Sequence, residues 1–320
     1  MKVVVLALDD VFDSGMTVLL DTLAAANELA ALHGFANVPF DVTLAGLRKR
    51  IRTALGFSAT VARLDAVRNP DWIVVSALNA KQADALAARL QARDIREAGA
   101  QLRQRHAAGV HVAGACIGTF VLAEAGLLDD REATTTWSLA PFFRQRYPGV
   151  ALDDSRMVVE SGQVVTAGAA MGHLDLALWL VRRVSPELAD LVARFMLIDQ
   201  RASQAHYIIP DHLAHTDPLI SKFERWTREN LPHGFSLDAA AEALAVHPRT
   251  LQRRTEAILG KSPLAFVQDL RIERARHLIS AGQPLEAVAS EVGYADAATL
   301  RTLLRRKLGQ GVRAMRAAKR

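Results

Sequence analysis

A chain of 320 residues, half of them apolar, is long enough for about two domains that each bury a core without disulfide or metal staples. Its single cysteine excludes an intramolecular disulfide and a cysteine-rich zinc site and points to a reducing cytoplasm, so neither metal nor cofactor is expected. The formal charge of +5 is uneven: residues 236–320 hold 15 Lys and Arg against 8 Asp and Glu, the remainder 24 against 26. A cationic domain joined to a slightly acidic one fits a nucleic-acid reader with a separate sensor.

The N-terminal run VVVLAL is six residues long, ends at Asp9 and Asp10 and lacks a cleavage site, so it reads as a buried strand and not a signal peptide. No run of about 18 apolar residues is present to span a bilayer, and no membrane partner is expected. Residues 2–8, 39–46, 71–77, 110–114 and 163–168 are β-branched runs expected as strands. Helical patterns fill most of the gaps, at 15–32, at 82–108 with a break near Gly99, and at 172–184. This alternation predicts an α/β domain with a mostly parallel sheet covered by helices, over 1–195, with its binding crevice at the carboxyl ends of the strands.

That rule singles out Cys116. VHVAGACIGTF reads as strand, sharp turn and helix, with Gly114, Ala115 and Gly118 leaving room for a cramped elbow. A helix beginning at about Ile117 would place its positive end beside the sulfur, favouring either the thiolate or an anionic ligand group. Trp137 either stacks a ligand or belongs to the core. Asp9 and Asp10 either hold a cationic group or cap the next helix; Ser76 and Asn79 lie at the equivalent end of the third strand. The candidate ligand-site residues are thus Cys116, Ile117, Trp137, Asp9, Asp10, Ser76 and Asn79.

The segments GACIGTFVLAEAGLLDDREATTTW and VVTAGAAMGHLDLALWLVRR resemble the PfpI-type, class I glutamine amidotransferase-like domain. In enzymatic relatives the resemblance implies a histidine just before Trp137, where this chain has Thr136. It also implies a glycine pair where Ser76, Ala77, Leu78 and Asn79 stand, and an N-terminal acidic residue to which Gly15 falls nearest, with Asp10 or Asp13 able to approach from the loop. With those parts missing, Cys116 is expected not to be catalytic.

Residues 196–217 read as a linker with His206, His212 and His215, whose spacing fits no common zinc pattern. A helix over 219–230, with Phe223 and Trp226 inward, opens a C-terminal all-α domain over 218–320. Here one pattern occurs twice: Leu237 pairs with Leu285 and Val246 with Tyr294 at an offset of 48, Leu251 with Leu300 and Gly260 with Gly309 at 49. Each copy is a short helix, a turn and a basic helix, the outline of a helix-turn-helix. In the first, Leu251, Ile258 and Leu259 face inward and Arg249, Thr250, Gln252, Arg253 and Glu256 outward. In the second, Leu300, Leu304 and Leu308 face inward and Thr299, Arg301, Thr302, Arg305 and Arg306 outward. Between them Pro263 begins a helix burying Val267, Leu270, Ala275 and Leu278.

The segments PRTLQRR, GKSP, RIERARHLI and VASEVGYAD resemble the AraC/XylS family of transcription regulators, and the order of the two domains is similar to regulators of the GlxA family. Thr255 and Leu304 stand where the family has a core phenylalanine, Thr302 where it has an arginine, and Val312 where it has a proline. The resemblance implies a homodimer that binds double-stranded DNA and answers a small amino-acid- or amine-derived effector, with RNA polymerase as a partner if it activates. The DNA-contacting residues would be Arg249, Thr250, Gln252, Arg253, Thr299, Arg301, Thr302, Arg305 and Arg306. The rival readings are a cysteine-dependent hydrolase or lyase fused to a DNA-binding module, and a DNA-organising protein whose first domain only dimerises.

Overall fold

The computed structural model describes residues 1–35, 39–199, 201, 203, 204 and 217–308, without the side chains of 306–308. His206, His212, His215 and Val312, and the side chains of Arg306 and Leu308, therefore lie outside the described residues. The chain forms two compact units, divided at 207/208.

The first unit is built on a seven-stranded sheet. Its strands β1 (Lys2–Leu6), β2 (Asp41–Gly46), β5 (Ala62–Arg63), β6 (Trp72–Val75), β7 (His111–Ala115), β10 (Val158–Ser161) and β11 (Val164–Ala167) take the order β10-β11-β7-β6-β1-β2-β5. All neighbours are parallel except β10 and β11. Strands this uniformly apolar are stable only when covered on both faces. One face places Val4, Leu6, Ile73, Val75 and Val112 in a core with Leu86, Ile95, Leu102 and Phe120 from α2 (Ala83–Leu90), α3 (Arg93–Ala107) and α4 (Gly118–Glu124). The other buries Val3, Val5, Val74 and Ala113 with residues of α1 (Asp13–Leu32), α6 (Gly172–Val184) and α7 (Pro186–Phe195). A short helix α5 (Ala140–Arg146), the hairpin β3 (Arg50–Arg52) with β4 (Ser58–Thr60), and the pair β8 (Glu132–Ala133) with β9 (Ala151–Leu152) complete the unit.

One expectation needs correction. The helical stretch 82–108 breaks at Gln91 and Ala92, not at Gly99, which lies inside α3 where an added Cβ would stand 3.4 Å from the Ala125 Cβ. At that distance a methyl group would make an ordinary van der Waals contact, and the glycine simply continues the helix. Helix α1 has the length and mean hydropathy of a membrane span, although Asp21 and Glu28 interrupt its sequence; half of that window is buried within the unit.

The second unit contains α8 (Pro218–Glu229), α9 (Leu237–Ala243), α10 (Pro248–Leu259), α11 (Pro263–Ser280), α12 (Leu285–Glu291) and α13 (Ala297–Leu308). Helix starts are written into the sequence: Asp217, Ser236, His247 and Ser262 cap α8 to α11 through their side chains, and Pro218, Pro248 and Pro263 occupy the first turns. Gly260 ends α10 with φ of 65°. Phe223 and Phe266 meet at 5.6 Å in the first half, while Ile272, Leu278, Val288, Leu300 and Leu304 form the core of the second. Thr255, where a core phenylalanine was expected, is fully buried and returns its hydroxyl to the Leu251 carbonyl at 2.7 Å, which removes the cost of an unpaired polar group. Arg271 joins the halves from inside. Its Nη2 donates to the carbonyls of Leu231 at 3.2 Å and His233 at 2.5 Å, and its guanidinium lies 5.4 Å from the Tyr294 ring centre.

The turns of the two copies differ at one matched residue. At the offset of 48, Ala245 corresponds to Gly293, and both have positive φ, 54° and 76°. Left-handed geometry costs a residue with a Cβ about 1–2 kcal/mol. Ala245→Gly should therefore stabilise the helical unit by roughly 0.5 kcal/mol after the added chain entropy. At Gly293 an added Cβ would stand 2.3 Å from the Leu231 carbonyl oxygen, so Gly293→Ala should cost at least about 2 kcal/mol. Urea unfolding of each variant followed by circular dichroism checks the pair; shifts of the same sign would refute this account.

Candidate functional site

Cys116 lies where β7 turns into α4, as an elbow requires. Its φ is +55°, in the left-handed region, and its N–H is held by the Ala167 carbonyl at 2.8 Å at the end of β11. The turn fits only because Gly118 has no side chain: a Cβ there would stand 2.3 Å from the Val75 carbonyl oxygen. Thr135 donates its hydroxyl to the Cys116 carbonyl at 2.8 Å.

The electrostatics oppose a thiolate, the first of the two alternatives that a helix start beside the sulfur left open. Cys116 is 7% exposed, and burial pushes its thiol up to about 11; hydrogen bonding to the Ile117 backbone and the Thr136 hydroxyl offsets only part of this. Helix α4, of seven residues, is too short and too enclosed to reverse the desolvation. The sulfur is a neutral group at neutral pH. Ile117 and Ser76 are buried beside the same strand ends, and the Ser76 hydroxyl has no hydrogen-bond partner. Trp137 is half-buried in a single turn of 3-10 helix, 137–139.

His173, fully buried on α6, completes this edge of the sheet and was not singled out from the sequence. Its Nδ1 is 2.9 Å from the Ala170 carbonyl and its Nε2 is 3.1 Å from the Ala77 N–H, which fixes the proton on Nδ1 and leaves Nε2 as acceptor. The ring fills the space of a side chain at Gly15, where a Cβ would stand 2.6 Å from it. Burial brings its pKa down to about 4. The small residue at 15 opposite a histidine at 173 was the available signal, and only the tertiary fold brings the two together.

Gln204 is also buried here. Its Nε2 donates to the Thr134 hydroxyl at 3.1 Å and the Thr135 carbonyl at 2.9 Å, and its Oε1 has no partner among the described residues. Arg201 pairs with the buried carboxylate of Asp175 at 2.5 Å. Two residues read as linker thus pack into the first unit.

Asp9 and Asp10 belong to a different place. They line a cleft of about 480 Å³ at the carboxyl ends of β1 and β2, together with Arg48, Arg50, Arg89 and Arg93, and Cys116 is not among its lining residues. Asp9 accepts the Arg52 N–H at 2.9 Å, while Asp10, at φ of 64°, accepts the Asn79 N–H on its carbonyl at 2.9 Å. Neither caps α1, whose N-cap is Phe12 without a side-chain bond. The residues expected to form one ligand site therefore separate into a buried neutral elbow and an open charged cleft.

In the second unit Arg249, Thr250, Gln252 and Arg253 are exposed on α10, as are Thr299, Arg301, Thr302 and Arg305 on α13. Gln252 donates to Glu256 at 3.1 Å, Thr299 to Asp296 at 2.8 Å, and Thr302 to the Ala298 carbonyl at 3.0 Å. The two threonine hydroxyls are thus turned onto their own helix, and the arginines carry the outward hydrogen-bonding capacity of α13.

The depressed His173 gives a measurable pH dependence. Folding requires the neutral ring, whereas the unfolded chain takes up a proton below about 6.5, so stability is intact above that pH. It falls progressively towards pH 4 by up to about 3 kcal/mol and then levels. Urea unfolding at pH 7, 5.5 and 4 should show wild type losing stability relative to His173→Gln across that window; parallel curves would refute the assignment.

Comparison with known proteins agrees with this architecture. Residues 1–183 match the DJ-1/PfpI family and residues 240–318 a helix-turn-helix domain. The chain is 30% identical over 183 residues to the HTH-type transcriptional regulator CdhR of Pseudomonas aeruginosa, covering 56% of this chain and 54% of that protein. It is 26% identical over 219 residues to the HTH-type transcriptional regulator GlxA of Rhizobium meliloti, covering 65% and 66%. The aligned part thus spans about half of the first relative and about two thirds of the second. A crystal structure of an AraC family transcriptional regulator from Pseudomonas putida shares the fold of the first unit, with a TM-score of 0.51 at 23% identity over 61% of this chain and 98% of that one. The chain belongs to the DJ-1/PfpI family, with an AraC-type helix-turn-helix domain following the α/β domain.

Proposed function

We propose that the protein is a ligand-responsive transcription regulator that reads double-stranded DNA with its C-terminal unit. The observation that carries this reading is the pair of exposed basic helices, α10 with Arg249 and Arg253 and α13 with Arg301 and Arg305, built on one repeated fold and tied through α11. Two such helices suit successive major grooves about 34 Å apart. Arg249, Gln252 and Arg253 contact bases or phosphates, with sequence specificity assigned to this first reader, while Arg301 and Arg305 mostly contact phosphate. Residues 1–195, with Arg201 and Gln204 packed against them, form the sensor and 218–320 the reader, joined by a connector within 196–217. A cytoplasmic homodimer, working with RNA polymerase where it activates, is the matching assembly.

The effector is an amino-acid- or amine-derived metabolite. The elbow offers it neutral donors and acceptors, Ser76 and Cys116, and the cleft offers both signs of charge through Asp10, Arg48, Arg50 and Arg93. Two observations favour sensing over catalysis: the Cys116 thiol is held neutral, and both ring nitrogens of His173 are already bonded. The strained Cys116 backbone favours a second reading, a cysteine-dependent hydrolase or lyase.

Two measurements follow from these assignments. Selection from randomised duplexes and salt titration should show Arg249→Ala losing about 1–3 kcal/mol at one base position, while Arg305→Ala weakens all sequences alike and lowers the salt slope by about 1. Equal losses of specificity would contradict the division of roles. Thermal stability of wild type and Cys116→Ser across amino acids and amines, with mass spectrometry of each compound, separates sensor from enzyme. An effector at about 100 times its dissociation constant adds about 2.7 kcal/mol and is recovered intact; consumption by wild type alone would overturn the sensor reading.

A further inference from the structure

Arg254 differs from the other exposed arginines of α10. Its Nε donates to Asp217 Oδ2 at 2.6 Å, and the Asp217 side chain is 3% exposed where that of Arg254 keeps 56%. Oδ1 of the same carboxylate accepts the backbone N–H groups of Leu219 at 2.8 Å and Ile220 at 3.1 Å, which caps α8. Withdrawing the guanidinium would leave a buried carboxylate with amide partners only, so a phosphate offered from solvent competes poorly for it.

The tie is particular to the first copy. At the offset of 49 that aligns the two basic helices, Arg254 corresponds to Leu303, which is buried in the core of the second copy. An apolar side chain suffices to pack that position. The first copy instead carries a cation there, adjacent to Arg253, and meets it with an anion at the first turn of the unit.

We propose that Arg254 is a latent phosphate-binding residue of the first reader, held back by Asp217 and released when the first turn of α8 loosens. Asp217 is the N-cap of α8, the first described helix of this unit, so a signal that loosens this cap gains one DNA contact at that point. The inference rests on the DNA-binding reading above.

The test is salt-dependent binding of the full-length protein to a short duplex of random sequence. Asp217→Asn keeps a capping oxygen but removes the charge that holds Arg254. It should bind several-fold more tightly at low salt, with the slope of log affinity against log salt steeper by about 0.9, the signature of one added phosphate contact. D217N/R254Q should return to the wild-type slope. Asp238→Asn, which removes an exposed carboxylate from α9, should change the slope by less than half as much. Asp217→Ser, a second capping residue, guards against a folding defect and should repeat the steepening. The inference is overturned if D217N behaves like D238N, if D217N/R254Q keeps the gain, or if both Asp217 variants retain their helices and bind no better than wild type. Failure of the wild type to bind the duplex even at low salt would instead overturn the DNA-binding reading, and the inference with it.

Discussion

Between β6 and α4 the backbone approaches so closely that one methyl group at Gly118 would stand 2.3 Å from the Val75 carbonyl oxygen. That approach brings the carboxyl ends of β6 and β7 under a single turn and forces Cys116 into the left-handed region. It also seals them. With helices on both faces of the sheet, groups at these strand ends lose water, and the desolvation that raises the Cys116 thiol lowers the His173 ring by the same logic. A site assembled this way is rich in hydrogen-bonding groups and poor in formal charge, and the charge lies instead in the open cleft around Asp10 and Arg48.

The helical unit follows a different constraint. Each of its short helices is too short to be stable alone, so capping side chains and a shared core supply what propensity does not. Asp217, Ser236 and Ser262 each satisfy backbone donors at a helix start, and Arg271 spends its charge on two carbonyls and an aromatic face instead of on solvent. Charge in this unit is therefore of two kinds. Arg271 and Arg254 are engaged in holding the structure, whereas Arg249, Arg253, Arg301 and Arg305 are exposed at the surface.

Periodicity made most of this legible in the sequence. The β-branched runs located the parallel strands, and the 48- and 49-residue offsets located the two readers, because burial on two faces and repetition both leave one-dimensional traces. A glycine in a helical pattern reads as a break, yet Gly99 continues α3, whose buried neighbours Ile95, Ala98 and Leu102 hold the helix through it. Asp9 and Cys116 were grouped because both end strands, yet the cleft formed by the ends of β1 and β2 does not reach Cys116. His173 and Gly15 went unnoticed as a pair because they are far apart in the chain and neither carries a local pattern. Thiol acidity is not legible for a related reason: a helix start is visible in sequence, whereas desolvation depends on everything packed around it.

The Arg271 tie has a consequence for the geometry of any DNA the unit reads. One side chain links the carbonyls of Leu231 and His233, ahead of the first copy, to the Tyr294 ring of the second, and so restrains the opening between the two basic helices. B-form DNA turns once in about 10–10.5 base pairs. Each base pair inserted between the two contacted segments therefore rotates the far one by about a tenth of a turn relative to a protein that does not follow. On the DNA-binding reading proposed above, the phase of the two contacted segments, and not only their sequence, would be constrained by this buried arginine.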